Sequence, residues 1–391
     1  MFPWRSYAKL IRQTNWLLTA AVAALMAIGV VFVYSAGHGR GESAMLYMKQ
    51  LRWGVAGWAC YFAAAVWDYR GLRGNAWMIY AAALVLLVVV LLWGQVIYGA
   101  RRWLMLFGMG LQPSELAKLG FIGVTAWYLG QPRVALDRWR TVAAVLVLVA
   151  VPAALVLKEP DLGTALVLMA VALCLMFAGG VSGKRLAALA LIGLLGASFV
   201  VAALLLPEKL GWSERAQERA WKLTHLSEYQ RNRLLVFFHP ERDPTGAGWN
   251  RLQSEIAVGA GGVRGKGLLH GTQNLLGFLP KTVAPTDFIF SVIAEETGFV
   301  GSATILGLFA VVFACGMWAA EGTMDKGGRL LCVGIVATLF THVFINISMT
   351  VGLMPVTGLP LPLISYGGSF MISTMTGLGV VQSVYVRRRL R

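Results

Sequence analysis

The residues best suited to chemistry in this chain are charged side chains set where long apolar runs begin or end. Asp287 stands first among them, in the run Pro285-Thr286-Asp287-Phe288-Ile289-Phe290, where a polar stretch of about 80 residues gives way to an apolar helix. A carboxylate at such a boundary can take a proton from a hydroxyl delivered to the membrane surface. It can equally serve as the cap or first-turn acid of the helix, worth about 0.3–1 kcal/mol against the macrodipole. Glu295 and Glu296 lie eight and nine residues further on. That places them about 12–13.5 Å deeper along a helix, where acids are costly and position or pair with something rather than act on a bulky headgroup.

Two further clusters have meaningful spacing. Glu115 and Lys118 are three apart on a helix begun by Pro113 and Ser114, so they can meet on one face as an ion pair. Glu159 and Asp161 flank Pro160 just before another apolar run, and capping explains Asp161 about as well as catalysis does. Basic residues supply the counterpart. Arg101 and Arg102 precede Trp103, and the segment 207–286 holds eleven Lys/Arg against seven Asp/Glu. Such charge suggests an anionic partner, for which a phosphate-bearing lipid headgroup fits, although any single member can simply be solvated. Nine glycines crowd 246–277; N–H groups in such turns can cradle an anion, and such loops are also often only turns. The five histidines and the four cysteines, Cys60, Cys174, Cys315 and Cys332, show no metal-ligand spacing, and the cysteines read as apolar packing residues.

The elements that must position these groups are membrane helices. Hydrophobic residues make up 58% of the 391 and charged residues only 13%, against roughly a quarter charged in soluble domains. Apolar runs long enough to cross a hydrocarbon core of about 30 Å predict ten spans, near 16–36, 51–67, 76–93, 115–130, 141–157, 162–180, 185–206, 287–319, 328–350 and 362–386. An all-α, polytopic membrane protein is expected, a single domain over 1–391 with one large extracytoplasmic loop at 207–286. With both termini cytoplasmic, sixteen Lys/Arg fall on cytoplasmic segments and six on the short external loops and their borders, as the positive-inside rule requires. The first apolar run is long enough to stay as a span, so no cleavable signal is expected. The net charge of +16 is spread over loop ends that orient the protein and meet anionic lipid, which argues against nucleic-acid binding. Residues 213–238 alternate charged and apolar positions at helical spacing and predict an amphipathic helix at the membrane surface.

Together the motifs resemble one family. Gln112-Pro113-Ser114-Glu115 with Lys118, Glu159-Pro160-Asp161-Leu162-Gly163-Thr164, Gln253-Ser254, Gly265-Lys266-Gly267, Gly271-Thr272-Gln273, Thr286-Asp287-Phe288-Ile289-Phe290 and Pro360-Leu361-Pro362-Leu363-Ile364-Ser365-Tyr366-Gly367-Gly368-Ser369 are similar, in order and spacing, to those of the SEDS proteins of shape, elongation, division and sporulation. Met354-Pro355-Val356-Thr357-Gly358 and Tyr229-Gln230-Arg231-Asn232-Arg233 look more like the elongation branch, RodA, than the division branch, FtsW.

The resemblance implies a peptidoglycan glycosyltransferase in the bacterial inner membrane that polymerises lipid II during elongation, with a class B penicillin-binding protein as partner. It implies Asp287 as the essential acid, here a general base for an inverting transfer. Arg101, Arg102 and Lys266 are then expected to hold the departing pyrophosphate, shared with a divalent cation such as Mg2+ or Mn2+. Gln253, Ser254, Gln273 and Thr286 are expected around the substrate, with Glu159, Asp161, Glu295, Glu296, Ser365 and Tyr366 in support; no organic cofactor is expected. The chain departs from the family pattern at Glu255 and Lys281, where the signs of charge are reversed, which suggests a swapped ion pair between them. It departs again at Phe370, where a small polar residue is commoner. The competing readings are a lipid II flippase or other transporter, a scaffold that recruits the penicillin-binding protein, and the division paralogue.

Overall fold

A computed structural model describes residues 12–38, 45–97, 100–106, 109–224, 226–280 and 282–388. Helices α1 (Trp16–Gly37), α2 (Leu46–Val66) and α3 (Arg70–Trp93) lead into a small antiparallel sheet, β1 (Gln95–Ile97), β2 (Ala100–Leu106) and β3 (Met109–Leu111). Then come α4 (Pro113–Leu129), α5 (Trp139–Lys158), α6 (Leu162–Gly179) and α7 (Gly183–Lys209). Short helices α8 (Glu214–Lys222), α9 (Glu228–Phe238), α10 (Ala247–Ala260) and α11 (Thr272–Leu275) occupy the long loop. The chain closes with α12 (Ile289–Gly322), α13 (Lys326–Thr350) and α14 (Gly368–Arg387).

Eight of these helices are long and apolar enough to cross a membrane. The other two expected spans form as well, and each misses that standard for a visible reason: α2 carries Lys49 and Arg52, and α4 has 17 residues. Both are part of the same bundle, α2 lying along α14 and α4 along α3. Starts are set by local chemistry. Asn15 caps α1 by accepting from Leu18 N at 3.1 Å, Asp325 caps α13 through Gly328 N at 2.9 Å, and Pro113 opens α4, where its missing N–H costs nothing. The last span begins at Gly368 rather than 362, because the backbone leaves helical geometry before it, with Leu363 at a φ of 65° and Gly367 extended.

Connections alternate between the two ends of the bundle. One end gathers the sheet, the α5–α6 turn, the long loop and the α13–α14 segment, joined by bonds such as Arg102 Nε to the Glu159 carbonyl at 3.0 Å and Ser365 Oγ to the Thr286 carbonyl at 2.6 Å. At the other end Arg387 donates to the Ala65 carbonyl at 3.0 Å, and Ser383 Oγ to the Trp67 carbonyl at 2.5 Å. This up-and-down path is the one ten spans require. An apolar groove lined by Phe309, Phe313, Phe340, Phe344 and Ile347 runs between α12 and α13 on the outside of the bundle.

Three expectations change. The three strands between α3 and α4 were not anticipated by an all-α reading. The amphipathic stretch 213–238 is two helices, α8 and α9, rather than one. Most consequential, α12 is broken at Gly298, whose φ of 66° belongs to the left-handed region that a side chain rarely adopts. Into that break runs the glycine-rich segment, with Lys266 N bonded to the Glu295 carbonyl at 3.0 Å, Gly267 N to the Glu296 carbonyl at 2.9 Å, and Phe299 N to the Gly262 carbonyl at 2.8 Å. These N–H groups therefore satisfy, or are satisfied by, a neighbouring backbone instead of cradling an anion.

Candidate active site

Asp287 does not cap a helix. The first turn of α12 is preceded by Phe288, which makes no side-chain capping bond. The backbone of 285–287 is instead clamped from two elements: Asn346 Nδ2 on α13 donates to the Asp287 carbonyl at 2.9 Å, while Ser365 Oγ donates to the Thr286 carbonyl and Tyr366 N to the Pro285 carbonyl at 2.9 Å. The carboxyl that this clamp presents is half-buried, with densely packed protein around an edge that still reaches the surface.

Across from it stands Arg233 of α9. Gly358, with φ of 76°, lies between them: a Cβ there would sit 3.2 Å from Arg233 Nη1 and 3.4 Å from Asp287 Oδ2. Any larger residue would press on Arg233, touch Asp287 and strain the turn. Arg233 is held by Tyr229, one helical turn earlier, whose hydroxyl accepts from Nη2 and whose ring lies 4.4 Å beneath the guanidinium. Arg102 approaches the same ring, at 6.0 Å. Its guanidinium is aimed by the α5–α6 turn, bonding the carbonyls of Glu159 at 3.0 Å and Pro160 at 2.5 Å and standing 3.9 Å from Asp161 Oδ2. Burial pushes the Asp287 carboxyl above the usual carboxylate range, against the pull of Arg233 and then Arg102, while Asp161 adds a smaller upward push. A half-buried acid with a raised pKa, flanked by two fixed guanidinium groups, can accept a proton beside a site for anionic oxygen.

The supporting acids divide. Asp161 caps α6, accepting from Thr164 N and Thr164 Oγ1 at 3.0 Å each, and faces Arg102 as well. Glu159 is fully buried, and neither carboxyl oxygen has a hydrogen-bond partner among the described residues. Burial, and secondarily Asp161, pushes it up to about 9.

Several predicted substrate contacts lie elsewhere. Arg101 turns away from Arg102, because neighbouring strand residues face opposite sides, and donates to the Leu91 carbonyl at the end of α3, at 3.1 Å. Lys266 is taken up by Glu295 at 2.7 Å and Thr272 at 2.6 Å, and Gln273 N also bonds Glu295. Glu296 accepts from Ser35 Oγ on α1 at 2.6 Å. The two acids thus anchor the glycine-rich segment, in keeping with a positioning role. Gln253 is buried on α10, and Ser254 is wholly internal, tying α10 to Ser291 at 2.6 Å and to the Thr350 carbonyl at 2.8 Å. Glu255 pairs with Arg251 at 2.7 Å; Lys281, its suggested partner, lies outside the described residues.

Glu115 and Lys118 do pair, at 2.9 Å, deep in the bundle. Lys118 Nζ also meets His342 Nε2 at 2.7 Å, Ser373 Oγ donates to Glu115 at 3.0 Å, and the Phe370 ring covers the ammonium at 5.4 Å. Sequence reasoning passed over Tyr229, Arg233, Asn346, His342 and Gly358 as site residues. The four-residue spacing of Tyr229 and Arg233 on one helix face was the available signal; nothing local marks Asn346.

Comparison with known proteins agrees with this architecture. The Cell cycle protein family model for FtsW, RodA and SpoVE matches residues 15–390. The peptidoglycan glycosyltransferase MrdB of Escherichia coli K12 is 39% identical over 321 residues, covering 82% of this chain and 80% of the relative. The peptidoglycan glycosyltransferase RodA of Treponema pallidum is 31% identical over 433 residues, with 97% and 99% covered. A probable peptidoglycan glycosyltransferase FtsW of Trichlorobacter lovleyi is 34% identical over 385 residues, with 96% and 93% covered. Among solved structures, a chain from a peptidoglycan synthase complex that coordinates polymerization and crosslinking superposes with a TM-score of 0.77 at 32% identity, covering 97% of this chain and 99% of that one. Thermus thermophilus RodA superposes at 0.69 with 30% identity, covering 97% and 98%. With the family model matched across almost its whole length and the ten-helix bundle shared with solved members, this chain belongs to the FtsW/RodA/SpoVE family, the SEDS proteins.

Proposed function

We propose that this protein is a peptidoglycan glycosyltransferase that polymerises lipid II into β-1,4-linked glycan during cell-wall elongation. Asp287 is the general base. The acceptor hydroxyl gives its proton to Asp287, its oxygen bonds to the donor's anomeric carbon, and the bond to pyrophosphate breaks with the electron pair leaving on the lipid pyrophosphate. One displacement converts the α-linked donor into a β-linked product. Arg102 and Arg233 offset the charge gathering on the leaving group; Arg101 and Lys266, committed to other partners, do not. The observation that carries this reading is the placement of Arg233 and Arg102 about a half-buried carboxyl at the loop-bearing end of the bundle.

Among the described residues the side chains form no site that would hold a divalent ion without the substrate's own phosphates. Among the described residues no group of three or more His, Cys, Asp or Glu could hold one, and the acids nearest Asp287 share their space with guanidinium groups. No step here runs through Mg2+ or Mn2+.

The loop-bearing end is assigned to the extracytoplasmic face and both termini to the cytoplasm, on the Lys/Arg distribution. A class B penicillin-binding protein is the proposed partner, and the groove between α12 and α13 suits an apolar helix from it. The elongation role follows the likeness to MrdB and RodA. Purified protein given lipid II in detergent, with and without the partner, tests the reaction: glycan chains are expected. Lipid II translocation in vesicles with no polymer in either preparation would instead identify a flippase.

A further inference from the structure

Asn346 is fully buried on α13, and its amide is spent at the candidate site: Nδ2 donates to the Asp287 carbonyl at 2.9 Å and to the Leu359 carbonyl at 2.7 Å. The amide can be oriented only one way, because both partners are carbonyl oxygens and only the NH2 end can face them. Its Oδ1 has no hydrogen-bond partner among the described residues, so the side chain's bonding is all directed at these two carbonyls. Leu359 follows Gly358, the residue over which Asp287 and Arg233 face each other. One side chain therefore holds both the backbone of the acid and the turn that spaces it from its cation.

We infer that Asn346 is a positioning residue that sets the separation of Asp287 from Arg233; this rests on Asp287 being the base. The groups facing Asp287 are Arg233 on α9, Arg102 on β2, Asp161 in the α5–α6 turn and its own neighbour Thr286. His342, one turn along α13 from Asn346, faces Lys118 instead. When the donors at 346 are lost, the carboxyl drifts from Arg233 and loses part of the charge that lowers its pKa. The acidic limb of the activity profile then moves to higher pH.

The test measures lipid II polymerisation against pH for Asn346→Leu, which keeps the branched shape and the number of heavy atoms but removes both donors, and for Asn346→Ser, which can restore one. Rates are normalised to folded, monodisperse protein. The Leu variant is expected to lose up to about 100-fold in kcat, as an ångström-scale misplacement would, with KM nearly unchanged and the acidic limb displaced upward. The Ser variant falls between it and wild type. An unchanged kcat per folded molecule, or reduced activity with an unmoved limb, overturns the inference. Failure of both variants to fold makes Asn346 a folding determinant and overturns it as well. Asp287→Asn is run in parallel: if that variant polymerises normally, the base assignment itself has failed, whatever Asn346 does.

Discussion

Replacing Glu159 with glutamine should remove a pH dependence of stability that the buried carboxyl imposes. Glu159 has no exposed surface, neither of its oxygens has a partner among the described residues, and burial followed by Asp161 raises it from 4.5 to about 9. The folded state therefore keeps a proton that the unfolded chain releases. For an acid raised on folding, the native state binds more protons between about 4.5 and 9, so stability falls as pH rises across that window. Each unit is worth about 1.4 kcal/mol, which accumulates to about 3 kcal/mol at pH 7. Glutamine is neutral throughout but brings an amide that needs partners, at a cost of about 1–3 kcal/mol. Glu159→Gln should thus be equal to or less stable than wild type near pH 5 and clearly more stable near pH 9. Thermal unfolding in one detergent across that range reads the difference directly. Parallel curves, with a constant gap from pH 5 to 9, would show that the carboxyl is not held protonated and would refute the argument.

Two contrasts follow from neighbouring residues with different partners. Arg102→Ala should abolish most polymerisation while Arg101→Ala leaves it nearly intact, since only Arg102 faces Tyr229 and the α5–α6 turn; equal losses in a lipid II assay would mean both serve the substrate. Lys118→Met leaves the buried Glu115 without its cation, at a cost of about 3–5 kcal/mol. The double change Glu115→Gln with Lys118→Met should recover much of that stability, and additive losses in thermal unfolding would count against a coupled pair.

The bundle was readable because apolar run length is a strong signal: each of the ten expected spans has its helix, displaced by a few residues at most ends. The Glu115–Lys118 pair and the Asp161 cap were readable for the same reason, since three-residue spacing and the start of a helix are local properties. What failed was tertiary. Nothing in Ala100-Arg101-Arg102 announced a strand, so two arginines that a strand sends to opposite sides were taken together. Lys266 was expected at the pyrophosphate because it lies on the external side in a family-like motif, yet the glycines around it let the loop enter the break at Gly298, where Glu295 claims the ammonium. Arg233 and Asn346 reach Asp287 from helices 54 and 59 residues away in sequence, and no periodicity carries that information.

The most direct test of the central claim separates binding from chemistry at Asp287. Asp287→Asn keeps the size of the side chain and its backbone clamp but removes the proton acceptor. Lipid II binding should stay within a few-fold of wild type, and single-turnover glycan bond formation should fall by at least about 100-fold. An asparagine variant that forms glycan bonds at the wild-type rate would contradict the account.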